Sequence, residues 1–145
     1  MSVNNFTIQK INGEPKPEDK KVMVDGMLAY HANNGHPRKT EIYSILLKDK
    51  ENNVKGSVIV TFLWNGMHID SLWIDESIRN QDWGSKLMKM VEEEGIKRGC
   101  IIAYTDTFTW QAPKFYEKLG YEMYGKLNDF PEGNSLCYFA KKLVK

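Results

Sequence analysis

The chain is poor in the features that announce a special environment. It has two cysteines, Cys100 and Cys137, in 145 residues, which make neither a zinc spacing nor a disulfide framework. Reduced thiols in a cytoplasmic protein are the expectation that follows. No apolar run approaches the roughly 20 residues of a membrane helix, and Met1-Ser2-Val3-Asn4-Asn5 lacks the charged and apolar regions of a secretory signal. An excess of one charge is also missing. Twenty basic residues against nineteen acidic leave a net +1, without the clustered Lys and Arg that a nucleic-acid groove or a membrane surface needs. No repeat, low-complexity tract or linker divides the sequence. Residues 1–145 are therefore expected to form one domain, long enough to bury a core without staples. His31 and His36 have no third ligand nearby, so no metal site is expected.

What is present is regular punctuation. Phe6–Ile11 alternates well enough for a strand, and Gly13–Lys21 reads as a loop. Val22, Met23, Met27, Leu28 and Tyr30 recur at helical spacing as far as Asn33, where Asn33-Asn34-Gly35-His36-Pro37 stops the helix. Glu41–Lys48 and Val54–Trp64 are strand-like. Asn65-Gly66 is a two-residue turn signal that joins the second of these antiparallel to Met67–Asp75. A helix over Trp83–Arg98 places Leu87, Val91 and Gly95 on one line, with Met88 and Met90 beside it. Gly99 stops it. Ile101–Thr107 must then cross back parallel to the preceding strand. A short helix at Ala112–Leu119 follows, and two strands, Tyr121–Leu127 and Leu136–Lys142, flank the turn-rich loop Asn128–Ser135. The order β-α-β-β-β-α-β-α-β-β implies an α/β fold, a mixed sheet with helices on both faces and one parallel pair at its centre.

Chemistry concentrates between Met67 and Leu119. The loop Arg79-Asn80-Gln81-Asp82-Trp83-Gly84-Ser85 sits where a strand meets a helix N-terminus. Such a loop presents unpaired N–H groups and the positive end of a dipole, which suits a phosphate. Ser85 and Lys86 add a hydroxyl and a cation. A pyridine-nucleotide site would share this layout but would want Gly-x-Gly-x-x-Gly and an acidic residue about 20 positions on, and the loop offers Gly84 alone.

These residues resemble the two central motifs of the GNAT superfamily, the N-acetyltransferases related to histone acetyltransferases. The family's loop is Gln/Arg-x-x-Gly-x-Gly/Ala, and Arg79-Asn80-Gln81-Asp82-Trp83-Gly84 supplies its first and last positions. The family's second motif, Ala-x-x-x-Tyr followed by Gly-Tyr or Gly-Phe, is matched by Ala112 to Tyr116 and by Gly120-Tyr121. Asp82 stands where the family usually has its first glycine. A carboxylate there is unfavourable beside a pyrophosphate, by about 1 kcal/mol at 4 Å in water, unless Arg79 or Lys86 neutralises it or the side chain points outward.

The resemblance implies a mainly antiparallel sheet of roughly six to seven strands with a splayed central parallel pair, and acetyl-CoA as co-substrate without a metal. Leu72, Trp73 and Ile74 would then pair with the pantetheine. Arg79, Asn80, Gln81, Asp82, Trp83, Gly84 and Ser85 would hold the pyrophosphate. Thr109 stands where many members have an Asn at the start of the second helix, and it also reads as a simple N-cap. Tyr116 would protonate the departing thiolate. Otherwise it is an aromatic packing with Phe115 and Leu119.

The base is less marked. Strand alternation puts His68, Asp70 and Leu72 on one face, and His68 stands near the glutamate base of some histone-modifying members. Histidine titrates in the useful range, and Asp70 would orient it or attract a cationic acceptor. The same two residues also make an ordinary hydrogen-bonded pair. Asp106 ends a strand near the expected substrate mouth, where an acid is commonly a turn partner. Trp64, Trp73, Trp83 and Trp110 read first as core packing, then as a pocket wall. The run Glu92-Glu93-Glu94 reads as a solvated helix face, with Lys89 and Glu93 spaced to pair. The expected activity is acetyl transfer to a primary amine, with a small-molecule or peptide acceptor and possible homodimerisation. A non-catalytic acyl-CoA sensor is the alternative. The acceptor pocket would come from Tyr30–Arg38, nearby strand ends and Asn128–Ser135.

Overall fold

Val54–Leu63 alternates without a break, and the structure uses that alternation directly. Val58, Val60 and Phe62 are buried, while the residues between them are half covered. In this computed structural model, residues 2–3 and 5–144 are described. Two compact units make up the chain, residues 1–38 and 39–145.

In the first unit, β1 (Ser2–Val3) pairs antiparallel with β2 (Phe6–Thr7). The strand expected over Phe6–Ile11 stops at Thr7 because its partner spans only two residues. The helix α1 (Pro17–Asn33) begins five residues before the expected Val22. Pro17 opens it and Glu18 and Asp19 fill its first turn, the placements that suit proline's fixed φ and the helix dipole. Gly35, at φ 80°, follows its end.

The second unit is built around six strands: β3 (Thr40–Lys48), β4 (Val54–Leu63), β5 (Gly66–Ile74), β6 (Ile102–Phe108), β7 (Glu122–Asn128) and β8 (Ser135–Lys142). Their order is β3-β4-β5-β6-β8-β7. Every neighbouring pair is antiparallel except β5 with β6, which gives the mixed α/β sheet with one central parallel pair that the sequence implies. The β4–β5 turn lies one residue earlier than expected. Trp64 and Asn65 form it, Trp64 carries the positive φ of 51°, and Gly66 already pairs with Leu63.

The helix α2 (Trp83–Lys97) presents Leu87, Met88, Val91 and Gly95 to this sheet, and α3 (Pro113–Lys118) adds Tyr116 to the same cluster. Each fully buried aliphatic side chain there contributes on the order of 1.5–3 kcal/mol. Met90, expected beside that stripe, is instead exposed. Gly95 allows close approach, since a Cβ on it would lie 3.2 Å from the Met67 sulfur. No helix among the described residues is long and apolar enough to cross a membrane. Cys100 and Cys137 are buried free thiols.

The acidic run on α2 is not simply solvated. Glu92 accepts a hydrogen bond from the Tyr121 hydroxyl at 2.9 Å and pairs with Lys141 at 2.8 Å. Glu94 approaches Arg98 at 3.7 Å. The expected Lys89–Glu93 pair is not among the ion pairs of the described residues. Burial, then the nearby Glu92 charge, hold the Tyr121 phenol far above its ordinary range. Above roughly pH 10 the unfolded chain releases that proton and the native chain keeps it. Stability therefore falls as pH rises, with Tyr121 contributing up to about 1.4 kcal/mol per pH unit. Urea midpoints measured from about pH 9 to about pH 11 should fall less steeply for Tyr121→Phe than for the wild type, and parallel slopes would refute this account.

Candidate active site

The parallel pair sets the site. β5 and β6 are in register only at Gly66–Ile102, Met67–Ala103 and His68–Tyr104. Beyond His68 they part, and the first contact across the gap is a side chain: the buried Thr105 hydroxyl donates to Ile69 O at 2.9 Å. On its other side β5 keeps β4 as a partner as far as Ile74, with a register shift between Ile59 and Val60 that leaves Asp70 as the extra residue of a bulge. That bulge overturns one expectation. Leu72 packs against the core cluster, while His68 and Asp70 lie on the other face, because one inserted residue reverses the side-chain alternation. Asp75 N donates to Lys55 O across the β4 side. By alternation, the main-chain groups of Leu72 and Ile74 face the gap and those of Trp73 face β4.

The gap is a cavity of about 210 Å³ lined by Ile69 to Leu72, Thr105 to Thr107, Gln111, Ala112 and Tyr116. Consecutive residues of one strand point to opposite faces, yet Thr105, Asp106 and Thr107 all border it. The cavity is therefore a slot between the parted strands, at the level of the sheet itself. Tyr116 stands on the helix side, 6% exposed, and His68, Asp70 and Asp106 stand on the other.

On the helix side, burial pushes the Tyr116 phenol up from its ordinary value, and the Asp106 charge adds to this while a hydrogen bond with Thr105 opposes it. The residue stays protonated at neutral pH. Tyr116 also packs edge-on against Phe115 and Tyr121, so the packing reading and a chemical role coexist. Gln111 accepts from Phe108 N at 2.8 Å, and Ala112 N donates to the Thr107 hydroxyl at 3.2 Å. Thr105, Thr107 and Gln111 were not singled out from the sequence. The available signal was two threonines at core-facing positions of a strand that otherwise buries Ala103.

On the opposite side, His68 Nδ1 lies 2.6 Å from Asp70 Oδ1, and the Thr61 hydroxyl donates to Asp70 Oδ2 at 2.6 Å. His68 Nε2 faces Asp106 Oδ1 at 3.6 Å. Asp106 lies within β6, two residues before its end, rather than in a turn.

The loop after β5 is tied at both ends. Asp75 caps a short 3-10 turn, Glu76–Ile78, through Ser77, and those hydrogen bonds hold its carboxyl below the usual range. Arg79 Nε donates to Ile74 O at 3.0 Å. Asn80 and Asp82 then take φ of 62° and 64°, a left-handed conformation that Asn and Asp accept more readily than other non-glycine residues. Glycine is the residue for which this conformation carries no steric cost. Lys86 N is the first amide after Arg79 to find a backbone acceptor, donating to Asp82 O. Among the described residues, the N–H groups from Asn80 to Ser85 have no protein acceptor. Asp82 makes no side-chain cap. Neither expected cation pairs with it among the described residues, since Arg79 is held by Ile74 O and Lys86 lies 4.5 Å from the Trp83 ring centre. Gly84 fits because a Cβ there would come within 3.2 Å of Phe115.

Two expectations are corrected. Thr109 is neither at the start of α3 nor its N-cap. Ala112 holds that position, and the Thr109 hydroxyl donates to Asn134 Oδ1 and accepts from Ser135 N, tying two loops. The tryptophans are not core residues: Trp64, Trp73 and Trp110 are 53%, 44% and 58% exposed. Trp110 stacks on Phe108 at 4.7 Å.

Comparison with known proteins gives this geometry a family. The model of the acetyltransferase (GNAT) family matches residues 10–121. An acetyltransferase of Agrobacterium fabrum is 31% identical over 86% of this chain and 91% of its own length. The blasticidin-S acetyltransferase of Streptomyces morookaense is 29% identical over 73% of this chain and 79% of its own. A solved acetyltransferase from Bacillus cereus is 31% identical and superposes with a TM-score of 0.81, covering 92% of this chain and 97% of that one. Other solved chains of this fold, 20% and 21% identical, hold coenzyme A and acetyl-coenzyme A. This chain belongs to the GNAT family of acetyltransferases and is an acyltransferase.

Proposed function

We propose that the protein moves the acetyl group of acetyl-CoA to a primary amine of a small molecule by direct attack. The slot between the parted strands carries this reading. It gives the thioester and the amine separate approaches to one point, with a proton donor on one side and a proton acceptor on the other. Blasticidin-S acetyltransferase, by its name, acts on a small molecule, which supports that class of acceptor.

Each group has a definable task. The free amides from Asn80 to Ser85, at the positive end of α2, hold the diphosphate. The main-chain groups of Leu72 and Ile74 that face the gap pair with the pantetheine and aim the thioester into the slot. An exposed N–H there polarises the acetyl carbonyl. His68, oriented by Asp70 and Thr61, takes a proton from the ammonium. The amine nitrogen then bonds to the carbonyl carbon, the C–S bond breaks, and the thiolate takes the Tyr116 proton. The second proton on nitrogen leaves to solvent, and the proton held by His68 returns through solvent to Tyr116, so one proton is released overall. Because the thioester is already activated, positioning and proton management supply most of the acceleration.

Thiol release across a panel of amines tests the reading. Turnover with at least one amine is expected, whereas acetyl-CoA binding with no thiol release would mark a sensor. Tyr116→Phe should lower turnover by about 10²–10⁴-fold while acetyl-CoA affinity stays nearly constant, and undiminished turnover would reject Tyr116 as the acid. At Asp82 two substitutions separate charge from conformation. Asp82→Gly removes a carboxylate near the diphosphate and should tighten acetyl-CoA binding by up to about 1 kcal/mol. Asp82→Val forces a β-branched residue into φ 64° and should cost about 1–3 kcal/mol of stability by urea titration.

A further inference from the structure

We propose that Asp106 is the carboxylate that receives the acceptor's ammonium group and presents it to His68. This rests on the amine-transfer reading above and names a residue and a charge requirement for it.

The argument begins with a mismatch. Asp70 is engaged with Thr61 and with His68 Nδ1, which places the ring hydrogen on Nδ1 when Asp70 is ionised. When His68 is also neutral, as the base must be, its Nε2 offers a lone pair, and 3.6 Å away Asp106 Oδ1 offers another. Two acceptors face each other at a separation that lacks a donor. A nitrogen about 2.9 Å from each would complete the arrangement, with one N–H to each atom. Among the described residues no Lys or Arg pairs with Asp106, and the residue borders the slot. Its charge is therefore available to an incoming cation.

The surroundings favour a cation as well. Tyr104 lies 4.9 Å from the His68 ring. Tyr138 is the cross-strand partner of Asp106, and Tyr124 lies 6.1 Å from Tyr138. Burial, and then the neighbouring Tyr104, Asp106 and Tyr138, push the Tyr124 phenol up. Aromatic faces beside a carboxylate attract an organic cation and repel an anion. The groups facing Asp106 are thus His68, Tyr104, Tyr124 and Tyr138, with Asp70 behind the histidine, while Tyr116 feels its charge from the other face of the sheet. In the step itself, the ammonium gives one proton to Nε2 and the imidazolium is balanced by Asp70. Asp106 keeps its charge throughout and releases the amide product, which is neutral.

Asp106→Asn keeps the shape and removes the charge. With an alkylamine that is protonated at the assay pH, kcat/KM should fall by roughly 10–100-fold, mainly through KM for the amine, while KM for acetyl-CoA holds. With trifluoroethylamine, already neutral, the loss should be much smaller. Equal loss with both amines would show a merely structural role and overturn the assignment, as would wild-type activity in the folded variant. A wild type that releases no thiol with any amine would sink the transfer reading instead. The ammonium site would then be read by thermal shift with cadaverine. Stabilisation of the wild type but not of Asp106→Asn supports the assignment, and equal or absent stabilisation of both overturns it.

Discussion

Strand β5 serves two neighbours unequally, and the rest of the site depends on that. It stays bonded to β4 along its whole length but to β6 for three residues only. A sheet cannot leave main-chain groups unpaired in its interior without cost, so something must replace the lost ladder. Inside the protein the replacements are the Thr105 hydroxyl on Ile69 O and the Arg79 guanidinium on Ile74 O. What they do not satisfy is the pairing capacity left for a ligand. The bulge at Asp70 belongs to the same device: it reorients β5 and sorts its side chains, sending Leu72 into the core and leaving His68 and Asp70 on the opposite face.

The loop before α2 answers to a second constraint, the path of its own backbone. To turn from β5 into that helix the chain uses left-handed conformations at Asn80 and Asp82, where glycine is the usual solution. Asn and Asp are the side chains that tolerate this region best, so the loop keeps its shape without glycine at Asp82. The consequence is electrostatic rather than conformational: a negative charge now sits at the N-terminus of α2, uncapped and without either expected cation.

The sequence was most legible where a period or a stop signal governed the chain. The Leu87–Val91–Gly95 line, the stop at Gly99 and the parallel crossing into β6 all follow from spacing, and they suffice for the mixed sheet. Three kinds of feature were hidden. The bulge at Asp70 leaves the apolar alternation of Met67–Ile74 looking regular, so Leu72 was placed with His68. The role of Thr109 is set by Asn134 and Ser135, 25 and 26 residues away, a separation at which local sequence carries no information. The exposure of Trp64, Trp73 and Trp110 runs against the tendency of large aromatic residues to be covered. Asp106 reads from the sequence as the end of its strand and so as a turn partner, but β6 continues two residues past it, through Phe108, on pairing with β8.

A slot at the level of the sheet has one further consequence. Tyr116 and His68 belong to opposite faces of the sheet, so the two side chains do not share a pocket wall. Each is held by its own partners: Tyr116 by Thr105 and the aromatic cluster, and His68 by Asp70, which Thr61 holds in turn. In the proposed reaction, the parting of the two strands would therefore do more than admit a ligand, because it would also keep the two proton transfers apart.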